Sequence, residues 1–289
     1  MFKKRVIAVL PVLNNIVVQS YGFKKYLPVG KAEIAAEFLN SWGIDEIVLV
    51  DISAGKQGRF ISPEMVKKAS SRCFTPITAG GGISELWQAD QLIHSGADKL
   101  CFNRSFFENP GFIRDVASQY GNQCVVVAID AIAENDTWRV FDYSTGLNRS
   151  ISLEEALKQA EENGAGEIFL NTVHKDGSFT GFDIPLFKWV SEQVSVPVLA
   201  CGGAASGSDF ITLFNETKVS AGCAGNFFHF AEHAVNLTKQ MIYKSGLEIR
   251  METQASYIAN QVNLSGRLLK KSEADLDHLL YIKIEKEVI

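Results

Sequence analysis

Eight short runs rich in Val, Ile, Leu and Ala, each followed by a longer amphipathic stretch, set the strongest constraint on how this chain folds. The runs fall at 6–10, 46–51, 76–79, 99–103, 124–130, 167–172, 197–201 and 221–225. Helical patterns follow at 32–42, 63–71, 84–95, 109–120, 152–163, 184–193, 206–215 and 231–245. Such alternation makes successive strands parallel, because each helix returns the chain to the starting edge. Strands apolar on both faces must be covered on both faces. Eight of these units predict an α/β fold, a closed (β/α)8 TIM barrel; an open doubly wound sheet is the alternative. Local signals agree: Ser152 with Glu155 forms a helix-start pair, and Gly43, Gly96 and Gly164 stand where left-handed helix ends belong.

The pattern also repeats at long range. GIDEIVLVDISAGKQG from Gly43 resembles GAGEIFLNTVHKDGS from Gly164, and TPITAGGGIS from Thr75 resembles VPVLACGGAAS from Val196. RVIAVLPV from Arg5 resembles CVVVAIDA from Cys124, so the offsets are 121, 121 and 119 residues. Two four-strand halves about a pseudo-twofold axis are expected, with two similar pockets at one mouth. Residues 1–250 are read as the barrel. Residues 251–289 lack a strand–helix unit and are read as a partly helical C-terminal extension, with an amphipathic stretch near 272–282.

Composition removes several classes of function. A net charge of −5 gives no electrostatic footprint for nucleic acid or an anionic membrane, and no apolar run is long enough to span a bilayer. The basic start, Lys3-Lys4-Arg5, is followed by no long apolar stretch, so no signal peptide is read and a cytoplasmic location is expected. Five cysteines, odd in number and without C-x-x-C spacing, read as buried thiols in a reducing compartment. His229 and His233 do not form H-E-x-x-H, so neither metal nor cofactor is expected.

In such barrels chemistry sits at the C-terminal ends of the strands. The groups there are Pro11, Asp51, Asn103, Asp130, Asn171 and Thr172. Asp130 ends an all-apolar run, where desolvation would raise its pKa toward the acid–base range; a turn-capping carboxylate is the plainer reading. The turns Gly80-Gly81-Gly82 and Cys201-Gly202-Gly203 are matched in the two halves, with Asp176 and Gly177 near the second. They are either two anion sites or places of tight packing. At the opposite strand ends stand Arg5, Glu46, Lys99 and Glu167, two cations and two anions. They are either a paired ring across the axis or four independent rim charges.

The segments KRVIAVL, DEIVLVDI, TPITAGGGI, SGADKLCFN, QCVVVAIDA, GAGEIFLNTVHKDGSFTGFD, PVLACGGA and FFHFAE, in order from Lys4 to about Arg250, resemble the cyclase subunit of imidazole glycerol phosphate synthase. The resemblance implies a barrel that works as a heterodimer with a glutaminase subunit and takes up the ammonia released there. It makes Arg5, Glu46, Lys99 and Glu167 the ammonia gate, and it puts Asp98 and Gln123 on the glutaminase-facing side. It makes Asp130 one of two catalytic aspartates and puts Pro11 where the other is expected. Gly81, Gly82, Asn103, Asp176, Gly177, Gly202 and Gly203 match the phosphate sites, with Asp51 and Thr172 at the same rim. Gln19 stands where the family has lysine, Arg104 where it has a small hydroxyl residue, and Cys201 where it has serine. Gly225-Asn226 stands where a small residue and a serine are usual. Three functions follow from this pattern. One is a paralogue supplying ammonia, beside a sugar amidotransferase, for amidination of an acetamido sugar in surface-polysaccharide biosynthesis. Another is a cyclase of histidine biosynthesis. The third is a non-catalytic scaffold for the glutaminase. The expected substrate is a phosphorylated or nucleotide-linked small molecule.

Overall fold

The computed structural model describes residues 3–135, 137–230, 233–252, 256–258, 260–263, 267–272 and 274. In chain order its strands are β1 (Arg5–Leu13), β2 (Ile16–Tyr21), β3 (Lys25–Gly30), β4 (Glu46–Asp51), β5 (Ile77–Gly80), β6 (Lys99–Phe102), β7 (Val125–Glu134), β8 (Thr137–Asp142), β9 (Leu147–Ser152), β10 (Glu167–Thr172), β11 (Val198–Cys201) and β12 (Ala221–Ala224). Parallel pairing runs β1–β4–β5–β6–β7–β10–β11–β12 and returns to β1, which closes an eight-strand barrel with helices between the strands. The expected (β/α)8 architecture is therefore the observed one.

Side chains alternate across each strand with period two. Val6, Ala8, Leu10 and Val12 of β1 face the helices and join the outer core with Ile47, Leu49, Ile77 and Phe210. Ile7 faces the barrel axis with Val48, Cys101, Val126, Ala128, Phe169, Leu199, Cys201 and Cys223. Each fully buried aliphatic side chain stabilises the fold by roughly 1.5–3 kcal/mol.

Local chemistry explains the helix boundaries. Ser62, Ser152 and Asp183 accept backbone N–H groups at the starts of helices Pro63–Ser70, Leu153–Glu162 and Ile184–Gln193. Gly43, Gly96 and Gly164 have φ of +81°, +98° and +89° just after helices, as their positions in the sequence suggest. Two predicted helices are each preceded by a short helix that the sequence pattern does not show. The stretch at 109–120 is preceded by a separate turn, Arg104–Glu108, because Pro110 starts a new helix. The stretch at 231–245 is found as Ala234–Lys244, and a short helix, Asn226–Phe230, precedes it. Lys239 of this last helix is 1% exposed and bonds the Gly43 carbonyl at 2.7 Å and the Asp45 carboxylate at 2.8 Å. Burial pushes the Asp45 carboxyl up, against the pull of Lys239.

The largest departure from the expected pattern is four additional strands. β1 runs on into the hairpin β2–β3, and β7 into β8–β9. The first turn is Asn14-Asn15, with φ of +50° and +65°, a two-residue turn that suits right-twisted strands. Asn135 lies 121 residues on from Asn14 and has φ +46°, so the hairpins extend the internal repeat. Beyond the barrel, Tyr257 packs on His233 and its carbonyl accepts from Gln240, while Lys244 bonds the Asn260 carbonyl at 3.0 Å. The amphipathic stretch near 272–282 lies, apart from Ser272 and Ala274, outside the described residues.

Candidate active site

The strand period sorts the candidate residues into layers. Arg5, Glu46, Lys99 and Glu167 share the axis-facing parity of Ile7, Val48, Cys101 and Phe169. Their side chains meet at the floor in a closed ring: Arg5–Glu46 2.6 Å, Glu46–Lys99 3.0 Å, Lys99–Glu167 2.7 Å and Glu167–Arg5 2.7 Å. Two cations and two carboxylates neutralise one another, which is what charges largely removed from water require. Glu46 and Glu167 are 121 residues apart, so the anions follow the pseudo-twofold axis. On this face Asp98 accepts the Ile77 N–H at 2.8 Å, and Gln123 is exposed and bonds the Tyr120 carbonyl.

At the other end lies a cavity of about 210 Å³. Pro11, Asn103, Asp130 and Asn171 line it from the strand tips, with Cys101, Cys201 and Cys223 below. Asp130 is buried, and desolvation pushes its pKa up to about 7, although the side chains of Asn103 and Asn171 hydrogen-bond the carboxyl and pull the other way. Asn103 donates to Asp130 at 2.9 Å. The other end of each amide, Asn103 Oδ1 and Asn171 Oδ1, is buried without a partner among the described residues. The thiols are raised as well: burial pushes Cys101 up to about 12 and Cys201 higher still, so neither supplies a thiolate near neutral pH.

The two glycine turns are matched in detail. Gly81 and Gly82 have φ of +110° and +72°, and Gly202 and Gly203 have +109° and +94°. A Cβ on Gly82 would lie 1.9 Å from the Arg59 carbonyl oxygen, and one on Gly203 would lie 2.2 Å from that of Gly181. The Gly81 and Gly203 carbonyls accept from Ile61 and Gly181, so each turn is pinned to the preceding loop. Tight packing is thus real at both turns, and both still line the cavity.

Asp51 and Thr172 are placed differently from Asp130. They are 121 residues apart and have the outward parity of their strands. Asp51 is among the lining residues, but its carboxylate is taken up by Ser53 N, Ser53 Oγ, Ala54 N and Arg59. Thr172 stays outside the lining and bonds the Cys201 carbonyl at 2.9 Å beneath Gly202. Both are supports of the glycine turns. Asp176 clasps the first hairpin, taking Ser20 Oγ at 2.6 Å and Phe23 N at 3.2 Å. Gly177 lets that hairpin approach, since a Cβ there would lie 2.6 Å from the Ser20 carbonyl oxygen. Asn226 holds the Ser20 backbone at both its N–H and its carbonyl, and Gln19 is buried in the same hairpin.

Phe23, Tyr26, Lys56 and Tyr143 are lining residues that the sequence pattern does not point to; the hairpins and the loop after β4 bring them to the cavity. Phe23 and Phe141 meet edge to face at 6.3 Å, so the hairpins touch across the mouth. Asn14-Asn15 between two alternating apolar stretches is the sequence signal for this roof.

The structure thus defines a two-half (β/α)8 barrel with a charged ring at its floor and the buried, axis-facing carboxyl of Asp130 in the cavity at its mouth. Comparison with known proteins places it further. A family profile described as "Histidine biosynthesis protein" matches residues 5–234, and the chain belongs to that family. It is 35% identical over 271 residues to "Putative imidazole glycerol phosphate synthase subunit hisF2" of Vibrio vulnificus, covering 92% of this chain and 98% of that one. It is 36% identical over 252 residues to "Imidazole glycerol phosphate synthase subunit HisF" of Streptococcus sanguinis, covering 87% of this chain and all of that one. The protein of the same name from Streptococcus mutans is also 36% identical, over 251 residues. No helix among the described residues is long and apolar enough to cross a membrane.

Proposed function

We propose that this barrel accepts ammonia from a glutaminase subunit docked on its floor and delivers it to a substrate beside Asp130. The observation that carries this reading is the alignment of the four-charge ring, the axial layer of Ile7, Val48 and Phe169, and Asp130 along one axis. Ammonia is small and neutral, so it can pass an apolar layer that excludes ions. Asp98 and Gln123, on the face of the ring, are the proposed contacts to the glutaminase. Asp130, half-ionised near neutral pH, holds or gives the proton at the roof.

The acceptor we favour is an acetamido sugar that becomes an acetamidino sugar, in surface-polysaccharide biosynthesis and beside a sugar amidotransferase. Pro11 supports this choice. It has no titratable group at the tip of β1. The other carboxylates of the cavity are already engaged, Asp51 by Arg59 and Asp176 by the first hairpin. That leaves Asp130, and one carboxyl cannot readily serve as both acid and base in ring closure by the cyclase. The cyclase reaction itself is the second reading, favoured by the names of the relatives and by the matched glycine turns.

One assay divides the two. Purified chain supplied with ammonium salt and the ribulosyl formimino-carboxamide nucleotide is expected to form no imidazole glycerol phosphate; turnover at an ordinary enzymatic rate would overturn the sugar reading. The ring is tested with a glutaminase partner present. Lys99→Ala is expected to uncouple glutamine hydrolysis from ammonia use, and unchanged coupling would remove the gate from the account.

A further inference from the structure

The outer wall of the barrel carries an apolar groove that neither the cavity nor the charged ring uses. Helix Ala32–Ser41, between β3 and β4, leaves Ile34 and Phe38 exposed although both are large and apolar. They stand four apart on one helix face, and Trp42, four further on, continues the row. Val29, near the end of β3, is exposed as well and leads into the row from the mouth of the barrel. Between this row and Phe228 and His229, of the short helix after β12, lies a groove of about 440 Å³. Single exposed apolar side chains are ordinary, but four lining one groove mark a surface that is covered by something.

The chain itself comes back to this groove. Trp42 stacks on His233 with ring centres 6.1 Å apart, and His233 meets Tyr257 edge to face at 5.3 Å. The chain then runs along helix Ala234–Lys244, where Lys244 bonds the Asn260 carbonyl. There it doubles back: Val262 pairs with Leu268, and the Leu269 N–H donates to the Gln261 carbonyl at 2.9 Å. Leu269 is thereby held on the flank of the helix whose first end touches Trp42. Residues 270–275 reach up to about 20 Å when extended, more than the breadth of one helix, about 10–12 Å. Beyond them Leu276, Leu279, Leu280 and Ile284 have the spacing of one helical face, with Asp277, His278 and Glu285 off it. Four apolar anchors at that spacing are what a groove of this kind accepts. A second copy of the barrel is the poorer fit, because a stable interface takes about 20–30 residues a side and this row is one segment wide.

We propose that residues 276–284 of this chain dock in the groove of their own barrel, with Leu276, Leu279, Leu280 and Ile284 against Ile34, Phe38 and Trp42. Lys31 borders the groove and offers a cation to the acidic side of the segment. Val29 and Gly30, at the root of β3, border it too. The docked segment therefore braces the first hairpin from outside the barrel, on the side away from the Asp176 clasp.

The test places the photo-cross-linker p-benzoylphenylalanine at position 38 of the full-length chain. Phe38 is 55% exposed, so the larger ring fits without disturbing the core. Irradiation, a denaturing gel and mass spectrometry of the digest are expected to join position 38 to a peptide within 275–289, in a product with the mass of one chain. Leu279→Asp and Leu280→Asp together are expected to lower that yield at least about ten-fold, since two buried anchors become charges. Thermal melts confirm that the barrel of this double variant is folded. Hydrogen exchange gives a readout without a probe: amides of 29–42 are expected to exchange faster in the double variant than in the parent. The proposal is overturned by a cross-link product with the mass of two chains, by cross-links that do not reach 275–289 or by none at all. A yield or an exchange pattern that the two aspartates leave unchanged overturns it as well. The experiment uses neither ammonia nor a glutaminase, so its outcome is independent of the proposed function.

Discussion

Asp130 shows how a single position takes its chemistry from its surroundings. The unfolded chain ionises it near 3.8, and the folded chain near 7. The folded state therefore holds a proton that the unfolded state releases. Stability falls as pH rises from about 4 to 7, and the full cost of the buried charge is present above that window. A rise from 3.8 to about 7 corresponds to about 4 kcal/mol at most. Asp130→Asn removes the charge, but its amide faces two other amides, which trims the gain to about 1–2 kcal/mol. The variant is expected to melt above the parent at pH 8, with the gap closing toward pH 4, while losing activity. Thermal melts across pH read the sign; a parent that melts at the same temperature as the variant at pH 8 would mean that Asp130 titrates normally. The sequence showed this residue well, because an acid that closes an all-apolar strand sits where the barrel core gives way to its mouth. It did not show that Asp51 and Thr172 support the turns, because the parity that turns them away from the axis emerges only once the strand register is set.

The paired hairpins are the elements that complete the mouth. Each extends a barrel strand past the sheet, at β1 and β7, and Phe23 meets Phe141 where they touch. The first is clasped by Asp176 and Asn226 at its polar backbone rather than by a core of its own, and β3 is exposed along most of its length. Such an element opens at a lower free energy than the barrel beneath it. Asp176→Ala is expected to speed proteolytic cleavage near Lys24–Lys25 several-fold with little change in the global melting temperature. Limited proteolysis followed by mass spectrometry checks this, and unchanged cleavage would mean that the clasp does not hold the hairpin. These strands are hard to find in the sequence. β3, with Pro28 in its middle and little alternation, is an edge strand whose place comes from its neighbours.

At the scale of the whole molecule, the eight-unit alternation made the barrel legible, and the three long-range matches made its two halves legible. The ring at the floor was half legible. Four charges at strand starts are visible, but their mutual neutralisation depends on barrel closure bringing four distant strands to one axis. Lys239 was not legible at all, since a lysine in an amphipathic helix reads as a solvated face. It is instead the cation that neutralises Asp45 inside the protein. Lys239→Met leaves that carboxylate buried without its ion-pair partner, and is expected to cost about 3–5 kcal/mol in urea unfolding. A loss below about 1 kcal/mol would show that the pair is dispensable.

That contact also breaks the repeat. The residue 121 positions after Asp45 is Gly166, where a Cβ would lie 2.0 Å from the Asn122 carbonyl oxygen, so no second acid fits. A tandem copy of the first half would bury two aspartates with no lysine to meet them, and a tandem copy of the second would bury lysines with no aspartate. Doubling either half would leave this pairing unmade, so the twofold likeness of the strands does not extend to the charges that hold the outer helix to them.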